Sequence, residues 1–144
     1  MRLTCSQKEL ARALLITTKA VDVNNTLPVL NNVLIKAEGK KLHFTSTNLE
    51  VAISYQIETE IKNEGEITIP AKLFTNYINY LKDQSVNIEV DGTDIQIKTL
   101  DSKTRIKGIP AQEFPPIPMV EKEGEGYLKV KDLKKAIHQV VFAA

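Results

Sequence analysis

With 144 residues, a net charge of +1, 42% apolar and 26% charged residues, the chain is long enough for one domain with a real core. No apolar run approaches the roughly 20 residues of a membrane span, and the polar start Met1-Arg2-Leu3-Thr4-Cys5 excludes a signal peptide. A lone cysteine, Cys5, excludes an intrachain disulfide framework; these features together imply a reducing cytoplasm.

In chain order, Leu3-Thr4-Cys5 leads into a segment of helical periodicity over Ser6 to Ala20, where Ser6 and Glu9 have the spacing of a capping box. Leu30 to Ala37, Leu42 to Ser46 and Val51 to Ile57 alternate as strands, with Glu38-Gly39-Lys40 as the first turn. Ile67-Thr68-Ile69 leads into a second helix, Ala71 to Lys82, for which Pro70 is a suitable start. Three more strands follow, Val86 to Val90, Ile95 to Thr99 and Thr104 to Ile109, the first two joined by the hairpin signal Asp91-Gly92. Pro110, Pro115, Pro116 and Pro118 interrupt regular structure, and Glu121 to Gly126 reads as a linker. Leu128-Lys129-Val130 then leads into a third helix, Lys131 to Phe142.

These elements form a repeat of strand, helix and three strands, present twice and begun a third time. The leading helix leucines, Leu10, Leu73 and Leu133, are 63 and then 60 residues apart. The expected class is α+β, with helices on one side of antiparallel sheets. The third start implies a piece of a longer protein, with one domain over 1–121 and, over 122–144, a linker and the first strand and helix of the next.

The helices also carry the positive charge. On a wheel of about 100° per residue, Lys8, Arg12 and Lys19 share one face of the first helix, opposite Leu10, Ala13 and Leu14. Lys72 shares a face with Asn76 and Asn79, while Leu73, Phe74, Tyr77 and Ile78 cover the other side. Lys131, Lys135 and His138 oppose Leu133, Ala136 and Ile137 in the third helix. The three segments hold eight basic residues (Lys134 and Lys82 included) against two acidic ones, Glu9 and Asp132. The remainder is therefore acidic by five charges. Lysines on exposed helix faces usually serve solvation. Near absence of acids from all three helices instead points to a cationic layer suited to a phosphate backbone.

Four segments then carry a family resemblance. Thr26-Leu27-Pro28-Val29-Leu30-Asn31-Asn32-Val33-Leu34-Ile35 resembles the N-terminal signature of bacterial sliding clamps, the β subunit of the replicative DNA polymerase III. Phe44-Thr45-Ser46-Thr47-Asn48-Leu49-Glu50, Ile69-Pro70-Ala71-Lys72 with Phe74, and Gly108 to Pro118 are similar to later segments of that family, in the same order. The resemblance implies a DNA clamp fold, with two strand-helix-three-strand units in each of three domains. It also implies a head-to-tail homodimeric ring around duplex DNA, sequence-independent contact, and a processivity role without catalysis. Arg12 and Lys72 match basic positions of the family's pore-lining helices; Lys8, Lys131, Lys134 and Lys135 follow by charge and projected face. In the loop before Thr-Leu-Pro, Asn24 and Asn25 stand where the family often has an arginine. Asn48 replaces the more usual acid of its segment. The strand Thr104 to Ile109 would form the subunit edge, with Lys103, Arg105 and Lys107 available for ion pairs. Contacts to DNA polymerase III and the clamp loader would lie in regions absent from this chain.

No cofactor is implied. His43 and His138 lack neighbours at metal-ligand spacing, and Asp91, Asp94 and Asp101 flank turns without a metal-loop pattern. Cys5 reads as a small core residue, and Phe74, Tyr77 and Tyr80 as packing residues. There is no phosphate loop and no nucleophile-base-acid set. The rival reading is an α+β adaptor that binds peptides at a sheet edge and has no DNA role; an enzyme lacks any constellation to support it.

Overall fold

Two apolar leader strands, each entering a helix directly, organise the fold. The computed structural model describes residues 1–21, 27–118, 124 and 126–143. β1 (Arg2–Ser6) leads into α1 (Gln7–Thr17), and β6 (Gly65–Pro70) leads into α2 (Ala71–Tyr80). After α1 come 3-10 turns at Thr18–Ala20 and Pro28–Asn31, then β2 (Asn32–Glu38), β3 (Lys41–Thr47), β4 (Ala52–Glu58) and short β5 (Glu60–Asn63). After α2 come β7 (Ser85–Asp91), β8 (Asp94–Lys98) and β9 (Lys103–Lys107). A 3-10 turn at Ala111–Glu113 and α3 (Val130–Val140), continued by a 3-10 turn at Val141–Ala143, complete the described elements.

The two units exchange their leaders. The four-stranded sheet has the order β4-β3-β2-β6, and the five-stranded sheet β5-β1-β7-β8-β9. Thus β1 of the first unit pairs with β7 of the second, and β6 pairs with β2, all antiparallel. Buried residues match across the units at a spacing of 64: Leu3 with Ile67, Cys5 with Ile69, Leu10 with Phe74, Leu14 with Ile78. The 63-residue alignment of Leu10 with Leu73 is therefore one residue out. Leu73 is 55% exposed and Phe74 fully buried. An exposed apolar side chain beside a buried one misleads any register drawn from hydrophobicity alone.

The alternating strands bury one face, including Val33, Ile35, Leu42, Phe44, Ile88, Ile95 and Ile97. α1 packs on β3 and β4, α2 on β2 and β6, and the two helices on each other. Gly39 and Gly92 take the left-handed conformation in the two expected hairpin turns (φ 60° and 58°).

Several expectations need correction. Leu30 lies in the 3-10 turn rather than in a strand, because Pro28 favours a helical start there. Ser6 is the N-cap residue of α1, but its side chain makes no capping hydrogen bond. Leu128 and Lys129 form no strand; a strand needs a ladder partner, and none is supplied among the described residues.

β5 is an addition, with one apolar residue and no alternation to reveal it. It follows from the pseudo-symmetry: after its third strand, each unit crosses back to pair with its own leader. In the first unit this makes the β5–β1 ladder. In the second it makes a single bridge, Ile109 to Thr68 on β6, with N–H···O distances of 3.0 and 3.1 Å.

Candidate nucleic-acid interface

α1 and α2 supply the face on which the expected cations converge. Gln7, Leu10, Ala13, Leu14 and Thr17 of α1 are buried, at spacings of three and four, leaving Lys8 and Arg12 exposed; Lys19 is exposed in the following 3-10 turn. Leu15, which projects near this basic face, is 65% exposed. On α2, Ala71, Phe74 and Ile78 are buried and Lys72, Asn76 and Asn79 exposed. Phe74 is a core residue and Tyr77 is partly buried, its hydroxyl 2.7 Å from Ser102 Oγ, whereas Tyr80 is 89% exposed rather than packed.

A polar anchor fixes the two helices. Gln7, at the first turn of α1, donates from Nε2 to the Ile78 carbonyl near the end of α2 at 2.9 Å, and its own N–H donates to the Gln84 carbonyl at 3.0 Å. The start of α1 is thereby held against the end of α2. At the other end, Thr17 donates to the Ala13 carbonyl, and Ser46 of β3 donates to the Thr17 carbonyl, tying α1 to the sheet beneath.

The charges are less uniform than their positions. Lys8 Nζ lies 2.5 Å from Asp83 Oδ2, both largely exposed. Arg12, Lys19 and Lys72 have no ion-pair partner among the described residues. The division into basic helices and acidic strands and loops therefore overstates the separation. Helix α2 stops at Tyr80, and Asp83, just beyond it, reaches back to Lys8.

Lys131, Lys134 and Lys135 lie on α3, every residue of which is exposed. The structure does not pack α3 against α1 and α2, so it does not join these lysines to Arg12 and Lys72. Asn24 and Asn25 lie outside the described residues. Lys103, Arg105 and Lys107 are exposed at alternate positions of β9, the edge strand of the five-stranded sheet. Arg105 has an intrachain partner, with Nη1 3.5 Å from Asp94 Oδ2.

Asn48 has a clear structural role. Its Oδ1 accepts from the backbone N–H groups of Glu50 and Val51 at 3.1 and 2.8 Å, closing a turn in which Leu49 has φ 77°. A carboxylate oxygen could accept the same bonds, which explains how Asn and an acid can serve alike there. Among the described residues, no three His, Cys, Asp or Glu side chains are grouped to hold a metal ion. No helix there is long and apolar enough to cross a membrane.

Two units with exchanged leaders, and paired helices on one side of antiparallel sheets, define the DNA clamp fold. The chain belongs to the DNA polymerase III beta subunit family, whose N-terminal domain profile matches residues 1–118. It is 31% identical to the beta sliding clamp of Synechocystis sp., an alignment covering all of this chain and 39% of that relative. A crystal structure from Eubacterium rectale, described as a DNA polymerase III beta subunit, superposes with a TM-score of 0.93 at 31% identity; it covers 99% of this chain and 39% of that one. The DNA polymerase III subunit beta of Pseudomonas aeruginosa gives 0.85 at 30% identity, with the same coverage. The chain thus spans about two fifths of the length of these relatives.

Proposed function

We propose that the chain is the first domain of a sliding clamp, residues 1–121, followed by a linker and the start of a second domain over 122–144. The clamp encircles duplex DNA in the cytoplasm and tethers the replicative polymerase without catalysing a reaction itself. The carrying observation is the pair of exposed cations, Arg12 and Lys72, on the side of α1 and α2 that faces away from the sheets. A ring holds DNA by topology, so these contacts need only be few, weak and indifferent to base sequence.

Lys131, Lys134 and Lys135 on α3 extend the same basic lining, and Asn24 adds a neutral phosphate contact. The edge strand β9 meets a second subunit, with Lys103 and Lys107 supplying charge and Arg105 exchanging Asp94 for a carboxylate of the partner. Polymerase and clamp-loader contacts fall outside this chain.

The double substitution Arg12→Glu with Lys72→Glu tests the reading. Titration of the chain with short duplex DNA at low salt should show at least tenfold weaker binding, with an unchanged thermal unfolding midpoint. Equal binding by the variant would remove both residues from the interface. An unmodified chain without salt-dependent binding would favour the adaptor reading.

A further inference from the structure

The outer face of the five-stranded sheet, opposite its buried side chains, carries charges that the helical layer does not account for. Antiparallel register sets Arg2, Glu89, Gln96 and Arg105 in one row, with Lys62 beside Arg2 where the β5–β1 register shifts. The next row holds Glu60, Thr4, Asn87, Lys98 and Lys103. Together these positions carry five cations and two carboxylates, Glu60 and Glu89. The row beyond them, Asp91, Asp94 and Lys107, is negative by one charge, and its Asp94 is paired with Arg105.

Arg2, Lys62, Asn87, Glu89, Gln96 and Lys98 are among the residues lining a depression of about 160 Å³ on this face. Three cations there face one carboxylate. Lys98 Nζ lies 4.0 Å from Glu89 Oε2, a loose pair, whereas Arg2 and Lys62 have no ion-pair partner among the described residues. Thr4 Oγ1 donates to Asn87 Oδ1 at 2.8 Å, which occupies that amide oxygen and leaves the amide NH2 to donate. The depression is therefore rich in cations and hydrogen-bond donors.

We propose that this depression takes a side-chain carboxylate from an acidic peptide segment of a partner protein. Arg2 and Lys62 supply the ionic contacts, Asn87 donates a hydrogen bond, and Lys98 divides its charge between Glu89 and the ligand. Two exposed cations give modest, salt-sensitive attraction, suited to a transient contact. Duplex DNA fits this face less well. Its phosphates form a continuous line of charge, and a carboxylate stands in every row, at Glu60, Glu89 and Asp91. An isolated carboxylate sits between them. The depression lies on β5, β1, β7 and β8, clear of the edge strand β9 assigned above to a second subunit. The inference goes beyond the DNA-binding reading and does not rest on it.

The test is a titration of the isotope-labelled 144-residue chain with acetylated tetraglutamate at low salt, followed through backbone amide NMR shifts. Saturable shifts should concentrate in β1, β7 and β8. Arg2→Ala with Lys62→Ala should weaken binding about fivefold, and Glu89→Gln, which removes the repelling carboxylate, should tighten it about threefold. Lys40→Ala with Lys41→Ala, an equal loss of charge on the other sheet, should leave it unchanged. Equal weakening by the two double variants, or full binding by Arg2→Ala with Lys62→Ala, would overturn the site. Reversal of the β1, β7 and β8 shifts by short duplex DNA would reassign the depression to nucleic acid and overturn the peptide reading. The four substituted cations are exposed and Glu89 half-buried, and a matching thermal midpoint verifies that each variant is folded.

Discussion

Cys5 shows how one buried side chain links pH to stability. It is 7% exposed, and burial pushes its thiol from 9.0 up to about 12 against a smaller lowering effect from Thr59. The folded state therefore keeps a proton that the unfolded chain gives up above pH 9. Stability associated with the neutral thiol is intact below pH 9 and falls as pH rises toward 12, by up to about 1.4 kcal/mol per unit. Cys5→Ala should flatten this alkaline loss in denaturant titrations at pH 8, 9 and 10, and a thiol reagent should modify folded Cys5 slowly at pH 8. The burial of Cys5 was legible in the alternation around it. The role of Asn48 was not, because its hydrogen bonds depend on a turn in which a leucine takes a positive φ.

Helix pairing involves Gln7 as well as apolar contact. Its buried amide donates to the Ile78 carbonyl, which also accepts from the Leu81 N–H at 3.2 Å, so Gln7→Ala removes one of two donors to that acceptor. We expect a loss of about 0.5–1.5 kcal/mol in urea unfolding, the net contribution of one hydrogen bond. Both helices were legible from their spacing of apolar residues, since Leu10, Ala13 and Leu14 mark one face unambiguously. The inward turn of a glutamine at the start of α1 was not. Its partner lies 71 residues away, and only the tertiary arrangement brings them together. Asp83 escaped for the same reason, since a residue counted as loop reaches a lysine far away in sequence. α3 illustrates the opposite case. Its amphipathic pattern predicts a helix correctly, although Leu133 and Ile137 remain about half exposed.

At the scale of the molecule, the sheets are joined where β9 leaves its ladder. Thr68 and Ile109 exchange backbone hydrogen bonds, while Asn32 donates to Thr68 Oγ1 at 3.0 Å. Gly108 permits this approach. A Cβ there would stand 2.4 Å from the Thr68 carbonyl oxygen and 2.9 Å from Ile67 Cδ1. Gly108→Ala should therefore cost about 1–3 kcal/mol by thermal unfolding, through displaced backbone rather than lost glycine flexibility. The twofold repeat and the placement of helices on one side of the sheets were readable from element order. The exchange of leaders was not, because alternation says which face is buried but leaves the neighbouring strand open.

That exchange sets an order of events as the chain is synthesised. The strands β4, β3, β2 and β6 span residues 32 to 70 and can complete their sheet while the remainder is still being made. β1, the first strand to emerge, has only short β5 as an early neighbour and must wait for residue 85 before β7 can cover its other edge. The oldest strand is therefore among the last to be fully seated, and a nascent chain halted before β7 would carry Leu3 and Cys5 on a half-open edge.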